Sequence, residues 1–119
     1  MNFNELEWHD AELIDIYIDR TMAGKSDTVK IAIKQANDRK IILIFTDCFA
    51  LNLNMNFGII APENILDANI LTESKQLSNI RNVWGKLGIN LEKIKCFQIE
   101  TNSTNSLIQI FALNYKIET

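Results

Sequence analysis

Apolar and polar residues alternate with a period of two along much of the first half of the chain, the pattern of strands with one buried face. In AELIDIYID, Ile14, Ile16 and Ile18 fall on one side, and Leu13, Asp15, Tyr17 and Asp19 on the other. In TVKIAIKQ, Val29, Ile31 and Ile33 make the apolar face, opposite Lys30 and Lys34. RTMAGKSD and QANDRK read as the hairpin loops after these two runs. KIILIFTD is apolar on both sides and belongs in the middle of a sheet. FALNLNMNF alternates again, with Phe49, Leu51, Leu53 and Met55 against Ala50, Asn52, Asn54 and Asn56. Asparagine is a poor strand former, so the apolar face must hold that strand in place.

The pattern breaks at GIIAPEN. NILDANILT then reads as a fifth strand, although Pro62 at a possible first helical position leaves residues 62–71 open between strand and helix. The period changes in ESKQLSNIRNVWGKLGIN, where Leu77, Ile80, Trp84 and Leu87 share one helical stripe. Ser74 suits the N-cap, and Gly88 suits the left-handed position after the last turn. This predicts one amphipathic helix over about residues 74–87. Gly85 inside it costs about 1 kcal/mol relative to alanine, so the helix needs tertiary support. EKIKCFQIET and SLIQIFALNYKIE are two more strands joined by the turn-rich NSTNS. The expectation is an α+β fold in a single domain over residues 1–119: a mainly antiparallel, curled sheet of about seven strands with one helix on a face or end.

Composition narrows the function classes. A chain of 119 residues with 47% hydrophobic and 23% charged residues resembles an ordinary globular domain. The net charge of −3 argues against non-specific binding to nucleic acid or to an anionic membrane. No basic and apolar leader opens the sequence, and no apolar run approaches the roughly 20 residues that span a bilayer. The expected location is the cytosol. In that reducing compartment Cys48 and Cys96 are expected to be free thiols packed as small hydrophobes. One histidine and two scattered cysteines make no zinc pattern, and no cofactor is implied.

Four features carry candidate chemistry. His9-Asp10-x-Glu12 holds the single histidine. A metal phosphohydrolase site needs further histidines, and a nucleophilic triad needs a marked serine, so neither is supported. On a strand, neighbouring side chains point to opposite faces, and the pair is expected instead to bond nearby backbone at the entry to the first strand. The second feature is the acidic N-terminal region, in which Glu5, Glu7, Asp10, Glu12, Asp15 and Asp19 all precede the first basic residue, Arg20. This is either a solvated face or a negative surface that steers and binds a basic partner. Third, Asn52, Asn54 and Asn56 form either the wet side of a strand or a polar wall for a small ligand inside the curled sheet. Fourth, Trp84 belongs to the helix stripe and hence the core. Trp8 lies outside the periodic pattern and either packs over the end of the sheet or stands exposed as an interface anchor.

The order WHDAELIDIYID, TVKIAIK, IILIFTD and LNLNMN, with the late hairpin CFQIET…SLIQIFALNY, resembles the small β-rich immunity-like families of bacterial polymorphic toxin systems. Their members open with His-Asp-Ala-Glu-Leu/Val at the first strand, here His9-Asp10-Ala11-Glu12-Leu13. The likeness spans most of the chain as an order of elements, and the helix at 74–87 departs from it. The resemblance implies a non-enzymatic protein that binds and occludes a cognate toxin, with no catalytic residue. It implies no oligomeric state.

Overall fold

A computed structural model describes residues 2–119. The described chain opens with a 3-10 turn, Phe3–Glu5, then runs through β1 (Glu12–Asp19), β2 (Thr28–Lys34), β3 (Lys40–Asn54), β4 (Ile65–Leu71), α1 (Lys75–Lys86), β5 (Lys95–Thr101) and β6 (Leu107–Glu118). The strands form one sheet in the order β1-β2-β3-β6-β5-β4, and every pairing is antiparallel. The α+β class and antiparallel sheet match the sequence pattern. The strand count among the described residues is six, not about seven.

The difference lies in β3. KIILIFTD and FALNLN are one strand, because β6 pairs with it from Ile42↔Glu118 to Asn54↔Leu107. Asp47 takes a left-handed φ of 53°, and its carboxylate accepts a hydrogen bond from Asn114 Nδ2 at 2.9 Å, so the strand bends there without breaking. Next to the bend, Cys48 pairs with Ala112 and Ala50 with Phe111, which leaves Phe49 as an extra residue, a β-bulge. Strict alternation grouped Phe49 with Leu51 and Met55. The bulge turns it to the opposite face, where its ring meets Trp84 at 5.2 Å, nearly edge-on.

A second bulge corrects the reading of β1. Leu13 pairs with Ile33 but Asp15 pairs with Ala32, so Ile14 is the extra residue. Leu13 and Ile16 pack against the main core, whereas Ile14 is 44% exposed. The outward face of β1 is therefore Glu12, Asp15, Tyr17 and Asp19, with Leu13 inward.

The sheet curls around one apolar core drawn from all six strands, including Val29, Ile31, Ile33, Leu43, Phe45, Phe97, Ile99, Ile108 and Ile110. The N-terminal segment fills it. Phe3 is completely buried, its ring within 4.7 Å of Trp8 and 5.5 Å of Phe97, centroid to centroid. Trp8 is core, not an exposed anchor: its Nε1–H donates to the carbonyl of Phe3 at 2.7 Å, satisfying the one polar group of the indole. The Phe3 N–H donates to the hydroxyl of Tyr115 at 3.0 Å, tying the turn to β6.

A smaller cluster on the opposite face packs beneath α1. Ala50, Phe111, Cys96 and Leu71 lie in one row across four strands, and Leu77, Ile80 and Trp84 cover them. Ser74 caps the helix, accepting from the Leu77 N–H at 3.1 Å. Gly88, at φ 84°, closes it in a Schellman motif, with Ile89 N–H bonded to Trp84 O and Gly88 N–H to Gly85 O. Leu87, placed on the apolar stripe by spacing, is exposed because the helix has already ended there. Arg81 supplies the tertiary support: its guanidinium reaches the carbonyls of Thr72, Leu91 and Ile94, anchoring both flanking loops.

The segment 62–71 resolves as loop and strand. Pro62 starts no helix; its carbonyl accepts from Asn64 N–H and Ser103 Oγ, and β4 begins at Ile65. There the two edge strands touch. Glu12 bridges Asn64, Ile65 N–H donates to Ala11 O at 2.7 Å, and Leu13 N–H donates to Glu63 O at 2.8 Å. Beyond Leu13 the edges part, and the sheet stays open.

Candidate partner-binding surface

The six acidic side chains singled out by the sequence fall into two groups. Glu5, Glu7 and Asp10 are exposed on the segment that fills the core, ahead of β1. Glu5 accepts from Asn2 Nδ2 at 2.7 Å. Glu12, Asp15 and Asp19 project from the outward face of β1. They are not equally free. Glu12 is 3.6 Å from Lys34 on β2. Asp19 accepts from both the N–H and the hydroxyl of Thr21, at 2.9 and 2.7 Å. The backbone bond first, and then the hydroxyl, hold its pKa below the ordinary carboxylate value. Asp15 has no ion-pair partner among the described residues.

His9 and Asp10 are not on a strand. They form a turn in which Asp10 has a left-handed φ of 62°, and this brings its carboxylate to 3.6 Å from His9 Nε2. Both side chains are exposed, so water screens the pair. The contact to the fold is made by main chain: Asp10 N–H donates to Ile65 O at 3.4 Å. Among the described residues, no group of three or more histidine, cysteine, aspartate or glutamate side chains is placed to hold a metal.

The asparagines of β3 sit on the helix-bearing face. Asn52 Nδ2 donates to Gln109 Oε1 at 3.0 Å, and Gln109 Nε2 to Gln98 Oε1 at 2.9 Å. Because Asn52 pairs with Gln109, Gln109 with Gln98, and Gln98 with Asn69, one row of amides crosses four strands next to the apolar row under α1. Asn56 ties the strand end to the last hairpin: its N–H donates to Ser106 Oγ and its amide to Thr104 O. Asn54 is exposed. Asn52 and Asn56 tie β3 to its neighbours, and none of the three asparagines lines the groove described next.

That groove runs between β1 and the loop after β3, where the edges of the sheet part. Leu13, Ile14, Asp15 and Ile16 form one wall, with Met55, Phe57 and Glu63 opposite; its volume is about 350 Å³. Tyr17 and Ile18, farther along β1, are 57% and 48% exposed, and Phe57 is 84% exposed. Ile59 and Ile60 follow on the same loop, also exposed. Sequence reasoning registered GIIAPEN only as a break. The available signal was its two isoleucines, Ile59 and Ile60, with Phe57 just before them, beside glycine and proline with no periodic partner.

No family model, no curated protein and no solved structure matches this chain. The surface itself therefore carries the functional argument.

The cysteines offer no second site. Cys96 is buried in the cluster under α1, and Cys48 is half-buried against the main core; both are free thiols. Burial raises both thiol pKa values to about 11. No helix among the described residues is long and apolar enough to cross a membrane.

Proposed function

We propose that this chain is a non-enzymatic cytosolic protein-binding domain, an immunity-like inhibitor that covers a basic surface on a cognate bacterial toxin. One observation carries the reading. The edge strand β1 exposes Tyr17 between the carboxylates of Asp15 and Asp19 on its outward face, with Ile14 exposed at the bulge and Ile18 exposed on the other face. Apolar area supplies affinity when it is desolvated, and the carboxylates steer a basic partner and reject acidic ones. The resemblance carried by His9-Asp10-Ala11-Glu12-Leu13 points the same way. The Glu12–Lys34 pair confines the usable negative charge largely to Asp15, Asp19 and the exposed N-terminal acids.

The test is co-expression with the product of the adjoining upstream gene, scored by rescue of growth and by co-purification. The native chain is expected to rescue. A variant carrying Asp15→Lys and Asp19→Lys, folded by circular dichroism, is expected to associate at least about tenfold more slowly at low salt, with a shallower salt dependence. Unchanged capture by that variant defeats the electrostatic reading.

A second reading, a small-ligand domain, draws on the groove, whose roughly 350 Å³ lies within the range of small-molecule sites. A thermal-shift screen separates the two, since a ligand raises the midpoint by mass action without any protein partner.

A further inference from the structure

We infer that the outer edge of β1 takes up an extended segment of the partner as an additional strand, and that this segment alternates basic and apolar residues. The inference rests on the protein-binding reading above and specifies how the partner is held. β1 is the terminal strand of the sheet, paired with β2 along its length and touching the opposite edge only at its start, through Glu12 and Leu13. Past Leu13, whose N–H bonds Glu63 O, no described backbone group pairs with its outer edge. In an antiparallel edge strand every second residue turns its N–H and C=O outward, so β1 presents a row of unmet donors and acceptors. From Ile14 to Asp19 this edge is about 20 Å long, enough for about six residues of an added strand.

The two faces of β1 define what the added strand must carry. Inward, it would continue the surface of Ile16 and Ile18 and lie over the groove wall made by Met55 and Phe57. Outward, it would lie beside Asp15, Tyr17 and Asp19. Successive side chains of a strand alternate between these faces, so apolar residues in one register and lysine or arginine in the other satisfy both. A second copy of this chain fits poorly. Antiparallel pairing of two β1 strands about Tyr17 sets Asp15 against Asp19 twice, and like charges directly opposite destabilise a sheet. The same carboxylates that discourage self-pairing favour a basic strand.

The probe is a fluorescein-labelled peptide of alternating lysine and valine, about ten residues long, titrated against the full chain by fluorescence polarisation. It is compared with the same peptide methylated on alternate backbone nitrogens, and with an alternating glutamate–valine peptide. The expected result is saturable binding of the lysine peptide, at least tenfold weaker binding of the N-methylated form, and none of the glutamate form. Amide resonances of Ile16, Tyr17 and Ile18 should shift on binding. Phe57→Ser should weaken binding without unfolding the protein, because that side chain is already largely in water.

Equal binding of methylated and unmethylated lysine peptides overturns edge pairing while leaving the electrostatic reading intact. Equal binding of the glutamate and lysine peptides overturns both. No binding of any peptide overturns the edge inference alone, since the co-expression assay judges the partner separately. Concentration-dependent dimerisation in sedimentation, abolished by Ile16→Pro, makes a second copy the occupant and also overturns it.

Discussion

Replacing Phe3 with alanine should be among the most damaging single changes in this protein, although the residue lies outside the sheet. Its side chain is fully buried, and its ring centroid lies 4.7, 5.5, 6.1 and 6.4 Å from those of Trp8, Phe97, Tyr115 and Phe45. Removing a buried phenylalanine ring costs about 3–5 kcal/mol, combining lost transfer free energy with the cavity left behind. A domain of this size has a total stability of roughly 5–15 kcal/mol, so the change should remove about a fifth or more of it. At about 3–6 °C per kcal/mol for this length, the thermal midpoint should fall by roughly 10–30 °C. Phe3→Leu, which keeps most of the volume, should cost about 1.5 kcal/mol or less. The assay is urea denaturation followed by far-UV circular dichroism, with the slope checked to be unchanged so that the midpoint reports stability alone. A loss below about 1 kcal/mol for Phe3→Ala would refute the reasoning, since it would mean that the N-terminal segment merely rests on the core.

Three smaller outcomes follow from the same geometry. Ser74→Ala removes the cap on the Leu77 N–H and should cost about 1 kcal/mol in urea melts, whereas Ser74→Asp should restore most of it. Both thiols should alkylate at pH 8 roughly a hundredfold more slowly than an ordinary cysteine, because burial lifts their pKa from 9.0 to about 11 and the thiolate is the nucleophile; urea should abolish the difference. The same shift has a defined sign for stability. Below pH 9 the thiols are protonated in both states, and between 9 and about 11 only the unfolded thiols ionise, so stability should fall across that window. The fall should be shallower in a Cys48→Ala, Cys96→Ala variant, compared at each pH.

Residue order alone was enough to read the antiparallel sheet, the hairpins at 20–27, 35–40 and 102–106, and the helix with its Ser74 cap and Gly88 terminator. Each of these depends on a local rule: period-two alternation, a polar cap, or a left-handed glycine. The acidic stretch was equally visible, but its division was not. Lys34 lies across the β1–β2 pairing from Glu12, and only that register shows which charges are partly neutralised. Trp8 illustrates another limit. Nothing periodic surrounds it, so its burial depended on where the segment from Phe3 to Ala11 would lie.

What only the tertiary structure decided are the bulges and the open edge. Ile14 and Phe49 obey alternation as letters and violate it in space, because a bulge is a mismatch between two strands and neither strand contains it alone. The bend at Asp47 likewise joins two apparent strands into one, since β6 is long enough to pair with both halves. Which strand becomes an edge depends on the order of pairing, and pairing order is non-local. The exposed groove between β1 and Phe57 follows from that order: two edges that meet at Glu12 and Asn64 and then diverge leave apolar side chains that no remaining part of the described chain covers.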